Sequence, residues 1–306
     1  MKIGFIGLGT MGQHMAAHVA AAEHDLTVHD LRREAGAPHE AAGAFWADSP
    51  AQVASRSEVV FTSVPGPKEA EAVALGADGL LEGMAPGTVW FDLTTNSPTV
   101  VRRLHATFAE RGIHVLDAPV SGGPHGARSG RLAMWVGGDQ AVFEAHRELL
   151  GTIADQPAYV GPIGAGTVAK LVHNAGTYAI QTALAEVFTL GVKGGVDPLE
   201  LFKAIRQGAS GRMRTFDRLV DQFLPGAFDV PAFSLRLAHK DVTLAAELGR
   251  ELGVPMQMVD VALAELTEAL GRGWADRDSR VAMLLQEERA GVDIHVPIDQ
   301  VRAAMG

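Results

Sequence analysis

The first 160 residues alternate short apolar runs with Ala-rich stretches. Lys2–Ile6, Leu26–His29, Glu58–Ser63, Thr88–Asp92 and Ile113–Asp117 read as β-strands. Their spacing of roughly 25–30 residues is that of βα units in a parallel sheet. Leu132–Val136 and Ala158–Val160 follow as further strands. Val59-Val60-Phe61 is apolar without a break, as in strands covered on both faces. From Gly166 to Lys193 the period changes. Val168, Leu171, Val172, Ala175, Ala179, Leu184 and Val187 recur at three- and four-residue spacing, which predicts one long helix over 166–193. Asp197-Pro198 opens another helix, with Asp as N-cap and Pro at the first position. More helices are predicted over 211–222, 234–252, 255–271 and 279–290, with no good strand among them. The Gly/Pro-rich stretch Gly161–Gly166 marks the change. The pattern predicts an α/β protein: a doubly wound, mostly parallel sheet over 1–162, a long connecting helix, and an all-α domain over 163–306.

The first strand runs into Gly7-Leu8-Gly9-Thr10-Met11-Gly12, a G-x-G-x-x-G turn that opens the Ala-rich stretch Met15–Ala22. Asp30 ends the second strand, near the spacing at which a dinucleotide site places an acid on the ribose. Gly7 permits the tight turn, Gly9 lets backbone approach a pyrophosphate, and Gly12 lets helix pack close to strand. The helix N-terminus offers N–H groups to the anion. This context predicts a Rossmann domain rather than a glycine turn without a ligand. Asp30 accepts hydrogen bonds from ribose hydroxyls and repels a 2′-phosphate, so NAD is favoured over NADP. Arg32 and Arg33 just beyond are the residues able to reverse that preference by holding a phosphate.

Composition narrows the classes. The chain has 306 residues, 47% of them hydrophobic, and a net charge of −10. Without a basic run, nucleic acid and anionic membrane are poor partners. The absence of cysteine excludes disulfides, Cys-ligated zinc, iron–sulfur clusters and a Cys nucleophile. No metal site is expected. Ile3 to Ala22 lacks Asp, Glu, Lys and Arg over a membrane-span length, but Gly4, Gly7, Gly9 and Gly12 suit a turn better than a spanning helix. Only Lys2 precedes the apolar run, so a signal peptide is not expected and the location read from the sequence is cytoplasmic.

Three further segments carry chemistry. Asp117-Ala118-Pro119-Val120-Ser121-Gly122-Gly123 follows the fifth strand, at the sheet edge where open α/β sheets bind ligands. Its Ser hydroxyl and two Gly amides can form an anion-binding concavity, or simply a turn. In Gly164–Asn174, Lys170 and Asn174 lie four apart on one helix face built otherwise of Ala, Val and Thr. A desolvated lysine there moves toward a useful acid/base range, though alone the segment also fits a lysine lying along a helix edge. His239-Lys240-Asp241 taken alone reads as a solvated helix face.

With Asp92-Leu93-Thr94-Thr95-Asn96-Ser97-Pro98, these motifs in this order resemble the β-hydroxyacid dehydrogenase family, over residues 1 to about 280. That family includes 3-hydroxyisobutyrate dehydrogenase and tartronate semialdehyde reductase. The resemblance implies hydride transfer between a nicotinamide cofactor, NAD or NADP, and a small carboxylate-bearing 3-hydroxyacid or its semialdehyde. It implies Gly7, Leu8, Gly9, Thr10, Met11 and Gly12 at the pyrophosphate and Asp30, with Arg32 beside it, at the ribose. Val64, Pro65 and Thr95 would line the nicotinamide. Ser121, Gly122 and Gly123 would bind the substrate carboxylate, Asn174 the region of the reacting hydroxyl, and Lys240 the cofactor. Lys170 would be the general acid/base. It also implies a homodimer or homotetramer, and the long apolar helix agrees with a buried face.

Pro124-His125 departs from the small residues expected after Gly123, and His125 is either a substrate contact or solvent-facing. His173 points roughly 100° from Asn174 and reads as structural. Arg212 and Arg214 are candidates for a second acidic group of a substrate, with a solvated helix start the simpler reading. Trp274–Ser279 matches the closing motif of the family in part, which leaves Asp278 without an assigned role. The other readings are an imine reductase of the same architecture, against which Lys170 argues, a non-catalytic dinucleotide sensor, and a sugar-phosphate dehydrogenase, which would want a larger second domain.

Overall fold

The computed structural model describes residues 1–193, 195–208, 219–251 and 256–305. The chain forms two compact units, Met1–Leu171 and Val172–Gly306. Among the described residues no helix is long and apolar enough to cross a membrane.

The first unit is built on one sheet: β1 (Lys2–Ile6), β2 (Asp25–His29), β3 (Phe45–Trp46), β4 (Val59–Thr62), β5 (Val89–Asp92), β6 (His114–Asp117), β7 (Val120–Ser121), β8 (Leu132–Gly137) and β9 (Ala154–Gly161). The order is β3-β2-β1-β4-β5-β6-β8-β7, with β9 on β8. Strands β1 to β6 are parallel; β8 runs antiparallel to β6 and β7. The chain therefore winds outward from β1 in one direction to β3, then restarts at β4 in the other. That reversal is where doubly wound sheets open a crevice at the carboxyl ends of their strands.

Period-two alternation splits the core between the two faces. Phe5, Phe61 and Phe91 lie side by side in register, with ring centroids 5.9 and 5.6 Å apart. They pack on Met15, Ala16 and Val19 of helix Gly12–Ala21. The alternate residues Ile6, Val60 and Trp90 face Leu104 and Phe108 of helix Pro98–Ala109. Strands buried on both sides read as unbroken apolar runs, and these do.

Differences from the sequence reading are local. β3 and β7 are two residues each, too short to show a period. β9 starts at Ala154 rather than Ala158, because Asp155 and Gln156 are exposed positions that dilute its apolar signal.

In the second unit the long helix Ala165–Lys193 continues past Leu171. Helix Pro198–Gln207 starts as expected: the Asp197 carboxylate accepts from Leu199 N at 2.9 Å and Glu200 N at 3.1 Å. Helices Leu235–Glu251 and Gln257–Gly271 follow. The predicted helix 279–290 is instead a 3-10 turn, Ser279–Met283, followed by helix Leu284–Ala290. Helix Ile298–Met305 was not expected. Most of the predicted helix 211–222 lies outside the described residues, as do Arg212 and Arg214. No strand appears here among the described residues, only an isolated bridge between Ser234 and Asp278.

Asp278 is fully buried and ties this unit together. Its carboxylate accepts from Ala232 N, Phe233 N and Arg280 N at 3.0–3.3 Å, and Arg280 pairs with it. Its role is structural, clasping the segment before helix Leu235–Glu251 to the turn at Ser279.

Glu287 is a second buried acid. Its Oε2 accepts from Ile294 N at 3.0 Å, and burial, with the charge of Asp293 adding, pushes its carboxyl up to about 7. The folded state therefore holds a proton that the unfolded chain releases near its ordinary value of 4.5. Stability should fall as pH rises between these values, by on the order of 2–3 kcal/mol, and stay lower above them. Glu287→Gln keeps the acceptor for Ile294 N and removes the charge. Urea unfolding should show the variant more stable than wild type at pH 8 and equal to it near pH 4.5; equal stability at both pH values would refute the assignment.

Candidate active site

The parallel strands end in one row. Ile6 is in register with His29 and with Thr62, Thr62 with Asp92, and Asp92 with Asp117. The segments that follow these five residues thus leave the same edge of the sheet. They contain Gly7–Gly12, Asp30–Arg32, Val64–Pro65, Thr95 and Ser121–Gly123, so the topology gathers every first-unit candidate except Lys170 at that edge.

The glycine turn is closed on two sides and open on a third. Gly7 has φ +94°, its N–H donates to His29 O, and a Cβ on it would lie 2.2 Å from Ser63 O. A Cβ on Gly12 would lie 1.8 Å from Gly7 O. A Cβ on Gly9 would meet nothing within 4 Å. Helix Gly12–Ala21 has no side-chain N-cap. An uncapped helix start beside open space at Gly9 fits a dinucleotide pyrophosphate. Asp30 is fixed beside it: Oδ2 accepts from Leu8 N at 2.7 Å, and Oδ1 from Arg32 N at 2.9 Å. Two carboxylate oxygens keep acceptor capacity beyond these bonds for ribose hydroxyls. Arg33 is committed elsewhere. It forms a two-pronged pair with Glu40, at 2.6 and 2.9 Å, and stacks over Trp46.

Asp92, buried at the end of β5, organises the next two loops. It accepts from Thr62 Oγ1 at 2.8 Å, Thr94 N at 3.1 Å and Asn96 Nδ2 at 2.8 Å. Thr94 Oγ1 in turn accepts from Val64 N at 3.3 Å. Burial pushes the Asp92 carboxyl up, and these donors work against that shift. The network holds Val64 and Thr95 on neighbouring loops.

Ser121 ends β7, and Gly122 and Gly123 both have positive φ, 137° and 60°, so the chain can turn directly into helix Gly123–Ser129. His125 is exposed on this helix. The ring Nε2 of His18 bonds Ala127 O and Arg128 O at 3.1 and 3.0 Å, pinning the far end of the helix to Gly12–Ala21. Lys170 lies in the second turn of Ala165–Lys193 and is only 8% exposed. Asp117 anchors the first turn of that helix, accepting from Gly164 N, Thr167 N and Thr167 Oγ1.

In the second unit, Asn174 and Lys240 are joined through Asp241, which is 1% exposed. Asn174 Nδ2 donates to Asp241 Oδ2 at 2.5 Å, and Lys240 Nζ lies 2.8 Å from Asp241 Oδ1. Tyr178, one turn beyond Asn174, stacks on Phe233; its phenol is pushed up by burial and by Asp241, so it stays neutral. His173 is half-buried, and its carbonyl accepts from Thr177 Oγ1 at 3.0 Å.

Sequence reasoning assigned nothing to Asp92, Asp241 and His18, and named Asp117 only as the start of a motif. Each has a partner 30 to 110 residues away along the chain. An acid ending an apolar strand, as Asp92 and Asp117 do, was the available signal.

Comparison with known proteins agrees with this architecture. Residues 2–161 match the family described as the NAD-binding domain of 6-phosphogluconate dehydrogenase. Residues 164–286 match the family described as NAD-binding of NADP-dependent 3-hydroxyisobutyrate dehydrogenase. The chain is 34% identical to the 2-(hydroxymethyl)glutarate dehydrogenase of Eubacterium barkeri, over 96% of this chain and 97% of that one. It is 35% identical to the NAD-dependent L-serine dehydrogenase of Pseudomonas aeruginosa, over 95% and 99%. The structure of Mycobacterium tuberculosis 3-hydroxyisobutyrate dehydrogenase with L-serine superposes with a TM-score of 0.83 at 29% identity, covering 92% of this chain and 98% of that one. A G-x-G-x-x-G turn with its acid, a lysine helix anchored on the sheet edge and matches along nearly the whole chain lead to one assignment: the protein belongs to the β-hydroxyacid dehydrogenase family, with NAD or NADP as its cofactor.

Proposed function

We propose that the protein is an NAD-dependent oxidoreductase that interconverts a small 3-hydroxyacid and its semialdehyde, with Lys170 as general acid/base. The observation that carries the reading is a buried lysine, one helical turn before a buried amide, on a helix anchored to the sheet edge from which the Gly and Ser-Gly-Gly segments emerge. The relatives' activities support the class: dehydrogenases of hydroxymethylglutarate, serine and 3-hydroxyisobutyrate all act on an alcohol near a carboxylate.

Residues 1–162 bind the dinucleotide in this reading, and residues 163–306 serve substrate recognition and oligomerisation. Backbone N–H groups of Gly7–Gly12 take the pyrophosphate, Asp30 the ribose hydroxyls, and Val64, Pro65, Thr95 and Lys240 other parts of the cofactor. The nicotinamide supplies the hydride acceptor when bound. Ser121, Gly122 and Gly123 hold the substrate carboxylate and Asn174 the reacting end. Lys170 Nζ takes the hydroxyl proton in oxidation and returns it in reduction. Asp30 and the engagement of Arg33 by Glu40 both support NAD over NADP. Val172 and Ile180, 64% and 47% exposed on one face of the long helix with Gly176 between them, support a homo-oligomer.

Absorbance at 340 nm tests the reading. The protein with NAD and NADP is offered 3-hydroxyisobutyrate, glycerate and threonate, and with the reduced cofactors the semialdehydes of the first two, the keto acid of the third and a cyclic imine. Expected is turnover of a hydroxyacid with kcat/KM at least about tenfold higher for NAD. Cofactor binding without turnover would favour a sensor, and reduction of the imine alone an imine reductase.

A further inference from the structure

Asp117 opens the segment that holds the Ser-Gly-Gly loop, and the chemistry above gives it no task. It ends β6 and is 1% exposed. Oδ1 accepts from Gly164 N at 2.7 Å; Oδ2 accepts from Thr167 N at 2.6 Å and from Thr167 Oγ1 at 2.8 Å. Burial pushes this carboxyl up, and the three donors at the helix N-terminus work against that shift by favouring its charged form. An N-cap ordinarily comes from the residue just before its helix. Here it comes from a strand some 50 residues earlier, so it fixes the helix to the sheet rather than to its own preceding loop.

The surroundings are cut to admit it. A Cβ on Gly137, paired with Asp117 across the β6–β8 ladder, would lie 2.5 Å from Asp117 Oδ1. A Cβ on Gly166 would lie 2.3 Å from Trp135 O and 3.1 Å from Asp117 Oδ2. Strand ends and helix start therefore meet nearly backbone to backbone, with the Asp117 carboxylate and the Thr167 hydroxyl bonded to each other at the junction. Two chemistry-bearing segments leave it. Ser121 follows Asp117 by four residues along the chain, and Lys170 follows Thr167 by three on the same helix face.

We propose that Asp117 is the positioning residue of the active site, its carboxylate setting the rotation and depth of the Lys170 helix against the Ser121–Gly123 loop. This rests on the reading of Lys170 as acid/base and of Ser121–Gly123 as the carboxylate site. A misplacement of about an ångström between such groups is enough to lower the rate on the order of 10²-fold.

The test compares steady-state kinetics and melting temperature for four variants beside Lys170→Ala. Asp117→Asn keeps shape but turns an N–H₂ toward an N–H donor. Thr167→Val removes only the hydroxyl bond, and Thr167→Ser keeps it. Asp139→Ala removes the ordinary N-cap of helix Gln140–Ala145, which accepts from Ala141 N and Val142 N. Expected are a kcat loss on the order of 10²-fold for Asp117→Asn with the KM for NAD within about threefold. Thr167→Val should lose roughly fivefold, and Thr167→Ser should be close to wild type. Asp139→Ala should lower the melting temperature and leave kcat alone. If Lys170→Ala is inactive but Asp117→Asn and Thr167→Val keep wild-type kcat, Asp117 is a structural cap and the proposal falls. Should Asp117→Asn fail to fold, the Thr167 pair decides: equal kcat for valine and serine overturns it. Activity that survives Lys170→Ala refutes the underlying reading instead.

Discussion

Lys170→Ala is expected to lower kcat by on the order of 10³-fold while NAD binding, read by calorimetry, stays within about threefold of wild type. The size follows from the role. A positioned acid/base contributes roughly 10²–10⁴-fold. Lys170→Arg separates proton transfer from charge. Arginine keeps a cation at the site but does not release its proton in the working pH range. If Lys170 acts by carrying the proton, the arginine variant stays nearly as inactive as alanine. If its cation merely attracts the substrate anion, arginine restores much of the rate and lowers KM. Retention of more than about a tenth of kcat by Lys170→Ala would refute the acid/base role outright. The buried setting sharpens the result, since at 8% exposure little bulk water can substitute for the amine.

The residues carrying this argument were legible to different degrees, and the difference is one of chain distance. Val59-Val60-Phe61 and Val89–Phe91 announce strands because both of their faces are covered, and the turn after β1 announces itself because its three glycines lie within six residues. Asp30 is legible for the same reason: the acid at a strand end follows the turn at a fixed interval. The supporting acids are not. Asp92 reaches Thr62 from 30 residues away, Asp117 reaches Thr167 from 50, and Asp241 reaches Asn174 from 67. Nothing local tells such an acid from a solvated one. In a chain with a net charge of −10 the default reading of an aspartate is surface. The bond between Asn174 and Asp241 changes the meaning of His239-Lys240-Asp241 most. As sequence it is a polar stripe on a helix; folded, it contains a buried carboxylate holding an amide and an ammonium at once. Short edge elements were lost for a separate reason, since two residues such as Phe45–Trp46 cannot display a period.

The glycine turn supports a prediction that separates folding from binding within a single motif. Gly12→Ala places a methyl group 1.8 Å from Gly7 O and 3.3 Å from the Phe5 ring. Gly7 cannot retreat, because its N–H is bonded to His29 O and Ser63 O stands against its other side. The clash is with backbone, so helix Gly12–Ala21 has to move away from β1, opening the contact of Met15, Ala16 and Val19 with the Phe5 face. Loss of that packing is expected to cost several kcal/mol and to lower the melting temperature by on the order of 10 °C. Cofactor affinity should fall with it, because the helix start moves away from the anion. Gly9→Ala is the opposite case. Its methyl group meets nothing within 4 Å, so the free protein should melt as wild type does. The open space it enters is the space assigned to the pyrophosphate, and NAD affinity should drop by roughly 10²-fold or more from the steric conflict alone. Calorimetric titration with NAD and a thermal melt of each variant read the two effects independently. A Gly9→Ala protein that binds NAD normally would remove the pyrophosphate from this turn, and a Gly12→Ala protein as stable as wild type would mean that the close approach of helix to strand is not what holds this edge of the sheet together.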